Sequence, residues 1–414
     1  MTDKNTMIQF RNCRLLHDGL VEKHQLWIRG GKIIDPEPVF YMEKVKPSLV
    51  VDCNDALIVP GFIDLQINGG YGYDFSSEPD RLAEALQVVS KGLLRTGVTS
   101  YCPTIVTSPP HIYKQVLPQL GKKAGGVHGA TVLGAHVEGP FINPEKKGAH
   151  PAEHMLTFAE GPSVLERVYG SLDNITLLTL APELPGTLEA VAALHDRGIV
   201  VSVGHSNGNL EQGEAAVQAG ASFITHLFNA MLPFHHRDPG LVGLLTSKLL
   251  PKPVFYGIIS DGIHTHPAAL RIAHRTHPHG LVLVTDAMAA LGLGEGAHNI
   301  GQLAVEVRDR RAFLPGTATL AGSIATMDEC IRRFIKAAGV SVVEAITAAT
   351  LHPAQLLSIT DCKGSLNPGT DADFLMLSDS GDTLGNIDIL RTYIAGECVY
   401  EKTGVLPLKI TPVT

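Results

Sequence analysis

From Leu57 onward the chain alternates apolar runs of strand length with helical patterns that end in glycine. The runs are ALIVPGFIDLQIN, VTSYCPTIV, TVLGAHVEG, NITLLTLAPE, IVVSVGHS, ASFITHLFNA, VFYGIISDG and LVLVTDAM. Nearly continuous apolar runs suit parallel strands buried on both faces, whereas a sheet with one wet face would alternate. Segments such as TLEAVAALHDRG and LEQGEAAVQAG carry the helical period between them and supply the crossovers. Eight such units predict an α/β fold, a closed (β/α)8 barrel of the TIM type.

The flanks read differently. Short alternating segments fill the first sixty residues, among them Ile8 to Leu16 and LWIRGGKIID, where Gly30-Gly31 between β-like runs signals a hairpin. After Asp286 the pattern loosens into a loop, then gives the helices TMDECIRRFIKAAG and SVVEAITAATLHPAQLL. β texture returns in DADFLMLSD and TYIAGECVY, the latter turning at Gly396. The simplest assembly joins 1–59 and 363–414 into one small, discontinuous β-sandwich domain beside a 60–362 barrel.

Composition narrows the class of protein. With 44% hydrophobic and 18% charged residues over 414 positions, the chain is packed rather than disordered or coiled-coil. A net charge of −8 without any basic run excludes broad affinity for nucleic acid or anionic membranes. The six cysteines form no C-x-x-C pair, so reduced structural thiols are expected rather than a disulfide framework or thiolate metal site. MTDKNTMIQF lacks the apolar centre of a secretory signal, and no stretch approaches the ~20 apolar residues of a membrane span, so a cytoplasmic location is expected.

Chemistry is sought at the strand ends, because barrel active sites lie at the C-terminal face of the strands. Run one closes with Gln66 and Asn68, run three with His136-Val137-Glu138, run five with His205, run six with His226 and run eight with Asp286. Each alone is ordinarily a satisfied polar residue. Glu138, His205 and His226 at matching heights, however, make the two-imidazole, one-carboxylate set of a catalytic divalent metal with an open position for water. Asp286 is a further ligand, an orienter of a histidine or a general base; its place across the barrel favours the base. His150 and His264 lie in loops just beyond strand ends, where solvent exposure is the ordinary reading and a site role the alternative. Arg237, in FHHRDPG, binds an anion or pairs on the surface with Asp238. LGLGEG lacks the strand-turn-helix setting of a phosphate loop, and His274, His277 and His279 read as surface decoration.

The motifs PGFIDLQINGG from Pro60, HVEGPFINPEKKGAHP from His136, VGHS from Val203, THLFNAMLPFHHRDPGLVG from Thr225, SDGIHTHPAALR from Ser260, VTDAM from Val284 and LAGS from Leu320 span nearly the whole chain. In this order they resemble the N-acetylglucosamine-6-phosphate deacetylase family of the amidohydrolase superfamily, most closely its animal branch. The resemblance implies a metal-dependent hydrolase barrel with a small β domain from both termini. It further implies hydrolysis of the acetamide of N-acetylglucosamine 6-phosphate, in amino-sugar catabolism and salvage, by metal-activated water with Asp286 as general base and then acid.

By the same resemblance Glu138, His205 and His226 match the metal ligands, and His150 the residue that polarises the acetyl carbonyl. Asn229, Ala230, Arg237 and His264 match positions that hold the sugar phosphate, with Ala149 and Asp261 counted beside them. Leu320, Ala321 and Gly322 match a segment closing over the sugar. The matching arginine of the family reaches the neighbouring subunit's site, which implies a homodimer. Many amidohydrolases bind two metals through an H-x-H on strand one; here those positions are the neutral amides Gln66 and Asn68, and LAPE offers no bridging lysine. One divalent ion per subunit is expected, zinc first, with cobalt, nickel, iron or manganese also accepted by the donor set. The competing readings are an amidohydrolase acting on another N-acyl amino sugar or a cyclic amide, and a non-catalytic oligomeric scaffold.

Overall fold

The computed structural model describes residues 6–300, 303–317, 320–379 and 387–413. Eight parallel strands follow one another in chain order around a barrel: Phe62–Ile67, Val98–Val106, Ala135–Glu138, Ile175–Leu180, Val200–Val203, Phe223–Ile224, Phe255–Ile258 and Leu281–Leu283. The ring closes just past its last strand. Ile67 bridges Ala287, and Asp286 N–H and Asn68 N–H donate at 2.8 Å to Gln66 O and Ala287 O. At the opposite rim Ala348 and Ala349 fill the seam, accepting from Leu283 N–H at 2.9 Å and Ile63 N–H at 2.8 Å. Among the described residues the backbones of the two strand ends are thus tied directly at the rim where the polar residues lie.

Helix-facing side chains such as Leu178, Val201, Val203 and Leu283 join Val89, Leu194, Ile331 and Phe334 of the surrounding helices in the main apolar core. A separate cluster unites Leu65, Cys102, Leu177, Phe223 and Val282 of the strands with Ala354 and Leu356. All six cysteines are free thiols.

Strands from both chain ends form one mostly antiparallel sheet, in the order Glu397–Glu401, Ile387–Ile394, Phe374–Asp379, Leu49–Pro60, Met7–His17, Leu20–Arg29, Lys32–Ile33, with Lys409–Pro412 also on Leu49–Pro60. Gly30 and Gly31 turn the hairpin with φ of 61° and 78°, as a two-residue turn with positive φ at both positions requires. Its core includes Phe374 stacked on Tyr393 at 4.4 Å, with Phe10 edge-on to both.

Two elements differ from the sequence pattern. The run ALIVPGFIDLQIN is two strands: Leu49–Pro60 pairs with Phe374 in the terminal sheet, and only Phe62–Ile67 enters the barrel. The switch falls at Gly61, where a Cβ would stand 2.1 Å from Thr99 Oγ1. Both sheets bury this segment on both faces, so periodicity does not register the change. The stretch after Asp286, expected as a loop, holds an antiparallel sheet of Gly296–Ile300, Leu303–Arg308, Arg311–Phe313 and Leu320–Gly322. Its strands are short and bury little beyond Val305, Val307 and Ala312, which leaves no strong alternation to read.

Candidate active site and metal centre

His205, His226 and Asp286 each follow a barrel strand with a left-handed backbone, φ 49°, 26° and 46°. Such conformations cost about 1–3 kcal/mol each in non-glycine residues and cluster where a sharp turn aims a side chain. The turns bring imidazoles from strand ends five and six onto the carboxylate that closes strand three. His205 Nε2 lies 3.0 Å and His226 Nε2 3.1 Å from Glu138 Oε1, and the two nitrogens are 3.1 Å apart.

Protons cannot be placed freely in this cluster. His205 Nδ1 sits 2.7 Å from Lys146 O, which only accepts, so Nδ1 carries a hydrogen and Nε2 is the atom turned to the cluster. Lone pairs and a carboxylate converging at about 3 Å require a shared proton or a cation between them. All three residues are buried, and the donor set of two nitrogens and one oxygen is that of catalytic zinc sites. Burial alone would raise the Glu138 pKa, but hydrogen bonds to His205 and His226 outweigh it and hold the carboxyl well below its usual range.

Ligand atoms of Glu138, His150 and His205 also lie within 4.8 Å of one another, so His150 and His226 compete for the third position. The neighbours of His150 favour His226. Thr107 N–H donates to His150 Nδ1 at 3.2 Å, which uses that lone pair and leaves the proton of the neutral ring on Nε2, 3.7 Å from Glu138 Oε2. Burial pushes the His150 pKa down to about 4, so the ring is neutral and offers an N–H donor rather than a ligand.

The amides of strand one hold the carboxylates. Gln66 Nε2 donates to Glu138 Oε1 at 3.0 Å and Asn68 Nδ2 to Asp286 Oδ1 at 2.8 Å. Burial, reinforced by the charge of Glu138, pushes the Asp286 pKa up to about 6.

On the sugar side of the expected site, buried Asp261 pairs with His264 Nδ1 at 2.6 Å and accepts from the N–H groups of Ile263 and His264. Burial opposes protonation of His264, but Asp261 outweighs it and holds the ring above its ordinary pKa. His150 is buried and His264 half-buried, so neither has the exposure ordinary for a loop histidine. Ala149 is exposed in the same turn as His150. Asn229 and Ala230 form the turn after His226, where Ala230 O accepts from Ser206 N–H at 3.0 Å. Leu320–Gly322 is set beside the last barrel strand by Met288 N–H donating to Ser323 O at 2.9 Å.

Arg237 stands apart. No hydrogen bond or ion pair joins its guanidinium to another described residue of this chain, and Asp238 accepts instead from the N–H groups of Leu210 and Gly240. His274 packs edge-on against Phe334, and His277 Nε2 meets Val254 O at 3.1 Å, so both are structural and only His279 is surface decoration.

Sequence reasoning missed Glu183, whose carboxylate accepts from Asn143 Nδ2, Asn207 N–H and Ser206 Oγ at 2.6–2.8 Å and so fixes the loops around His205. It closes an apolar run, the same signal that singled out Asp286. Two surface cavities, about 780 Å³ beside Trp27 and about 800 Å³ beside Tyr71, are lined by none of the cluster residues.

Comparison with known proteins places the chain in a family. The amidohydrolase family model matches residues 57–399. The chain is 54% identical to the N-acetylglucosamine-6-phosphate deacetylase of Rattus norvegicus, over 95% of this chain and 96% of the relative. It is 34% identical to an N-acetylgalactosamine-6-phosphate deacetylase of Escherichia coli O157:H7, over 89% and 93%. The crystal structure of the Pasteurella multocida N-acetylglucosamine-6-phosphate deacetylase superposes with a TM-score of 0.81 at 30% identity, covering 95% of this chain and 99% of that one. The match of the family model over most of the chain, and of these relatives over nearly all of it, makes the protein a member of the amidohydrolase family.

Proposed function

We propose that the protein hydrolyses the acetamide of N-acetyl-D-glucosamine 6-phosphate, giving D-glucosamine 6-phosphate and acetate in amino-sugar catabolism and salvage. The observation that carries this reading is the convergence of Glu138, His205 and His226 near buried Asp286, in a chain 54% identical end to end with a deacetylase of that name.

A divalent ion held by Glu138, His205 and His226, with zinc the first candidate and cobalt, nickel, iron or manganese admitted by the same donors, supplies Lewis acidity and lowers the pKa of a water toward ~7. Asp286 takes a proton from the attacking water as the new C–O bond forms. It returns that proton to the amide nitrogen as the C–N bond breaks, so that an amine and acetate leave. Asn68 holds Oδ1, which assigns the proton to Oδ2. His150 donates its Nε2–H to the acetyl oxygen, where negative charge develops, a contribution of roughly 3 kcal/mol in comparable sites.

In this reading His264, held by Asp261, and the Asn229-Ala230 turn bind the phosphorylated sugar, with Ala149 beside them and Leu320, Ala321 and Gly322 closing over it. The Arg237 guanidinium has no partner among the described residues of its own chain and lies in an exposed turn, which supports a homodimer where it serves the neighbouring site. Residues 60–362 form the catalytic domain, and 1–59 with 363–414 the terminal one. The enzyme is cytoplasmic and binds neither nucleic acid nor membrane; among the described residues no helix is long and apolar enough to cross a bilayer.

A second reading takes the galactosamine epimer as substrate, favoured by the 34% identical Escherichia coli relative. Acetate release from both phosphorylated sugars and from unphosphorylated N-acetylglucosamine, before and after chelation and with metal restored, tests the assignment. Metal-dependent release with preference for the glucosamine phosphate is expected. Equal activity on the unphosphorylated sugar, or activity that survives chelation, would overturn it.

A further inference from the structure

Barrel interiors are usually layered with branched aliphatic side chains. Below the Glu138 cluster this barrel is polar instead: Thr104, His136, Thr179, Ser202 and Thr225 are all completely buried. Four of these side chains are linked in single file. His136 Nδ1 lies 3.1 Å from Leu65 O, a pure acceptor, which fixes a proton on Nδ1. His136 Nε2 is hydrogen-bonded to Thr179 Oγ1 at 2.8 Å, Thr179 Oγ1 to Thr225 Oγ1 at 2.8 Å, and Thr225 Oγ1 to Ser202 Oγ at 2.5 Å. Thr104 Oγ1 completes the layer by accepting Ile67 N–H at 3.0 Å.

The chain runs from Ser202 on strand five through Thr225, just past strand six, and Thr179 on strand four to His136 on strand three and the backbone of strand one. Strands three, five and six are those that present Glu138, His205 and His226. Thr225 immediately precedes His226, and Thr179 stands in register with Glu138. Each link joins residues of different strands or strand ends, so a shift of one strand against its neighbour breaks a bond of the chain.

We infer that Ser202, Thr225, Thr179 and His136 form a positioning chain that sets the relative height of the three ligand-bearing strands and thereby the affinity for the divalent ion. None of the four belongs to the assigned ligand set. The inference rests on the assignment of Glu138, His205 and His226 as ligands, and outer partners of such ligands typically change metal affinity 10–100-fold.

The test is Zn2+ affinity of the metal-stripped, full-length protein, by competition with a chromophoric chelator, together with the melting temperature of the metal-free form. Thr179→Val and Thr225→Val are each expected to weaken binding about 10-fold or more, and the double variant scarcely further, because one broken link interrupts the file. Thr179→Ser and Thr225→Ser keep the hydroxyl and are expected to bind like the parent. Ser100→Ala, which removes a buried hydroxyl with no partner among the described residues, leaves affinity unchanged. Valine variants that melt lower yet bind Zn2+ as the parent does would overturn the inference. If the valine variants do not fold, Ser202→Ala decides: weakened binding supports the chain and unchanged binding overturns it. Glu138→Ala in the same titration separates the two levels. Parental binding there fails the ligand assignment itself, whereas loss there beside unaltered valine variants fails only the positioning chain.

Discussion

Asn68 Nδ2 reaches Asp286 Oδ1 at 2.8 Å across the seam where the barrel closes. The bond joins the proposed base to the strand-one position that holds a metal-binding histidine in many amidohydrolases, and it leaves Oδ2 without a hydrogen bond among the described residues. Asp286→Asn keeps the shape of this contact but removes the base. Metal and substrate binding are expected to persist while kcat falls about 100-fold or more. Near-parental acetate release would remove Asp286 from the proton transfer.

The acid limb of the activity profile reports the same carboxyl. Burial first, and the charge of Glu138 second, push Asp286 up to about 6, and only its ionised form accepts a proton, so kcat/KM falls as the pH drops through that range. A cation on Glu138 cancels the repulsion and moves the inflection of the loaded enzyme below that value. Asn68→Leu removes the donor that favours the ionised form, so its inflection is expected at higher pH than the parent's. Identical profiles for the two proteins would contradict this coupling.

Metal analysis of the purified enzyme is expected to return about one divalent ion per chain, because the strand-one positions carry the neutral amides Gln66 and Asn68, which are poor ligands for such an ion. A second tightly held ion would show that these amides act as ligands after all.

Arg237→Ala is expected to raise KM for the phosphorylated sugar with little change in kcat. Mixing it with Asp286→Asn tests the dimer. If the arginine serves the neighbouring site, a mixed dimer contains one intact site and activity returns above either parent variant; without recovery, the arginine acts in its own subunit.

Asp64 links stability to pH. It is fully buried, accepts from Thr285 Oγ1 at 2.6 Å and from the N–H groups of Thr285 and Gln66, and burial pushes its pKa up to about 7. The folded state therefore holds this proton more tightly than the unfolded chain, whose Asp titrates near 3.9, and the group's stabilisation is lost as pH rises from about 4 to about 7. Asp64→Asn removes the loss, so the melting temperature of the variant relative to the parent should climb across that window in metal-free protein. A constant difference would mean that Asp64 stays ionised throughout.

The barrel strands were legible because burial on two faces demands uninterrupted apolar runs, and the candidate ligands because a polar residue ending such a run needs a partner. The positioning layer was not. Thr179, Ser202 and Thr225 suit any strand, and their bonds join residues up to 46 apart in sequence, which no local period records. Arg237 and Asp238 looked like an ordinary surface pair because adjacency in sequence says nothing of the backbone N–H groups that occupy Asp238. The passage from the terminal sheet to the barrel at Gly61 was hidden inside one apolar run for a related reason: both environments select the same residues.

The terminal sheet also orders events in time. Leu49–Pro60 finds its antiparallel neighbour Phe374–Asp379 only after residues 61–373 have been made, so during synthesis one edge of the early strands waits bare while the barrel assembles. Pairing over such a separation is slow, and an open β edge invites other chains. The interval before the tail arrives is therefore one of exposure to aggregation, and a chain broken off after the barrel would carry every proposed catalytic side chain and still leave that edge unprotected.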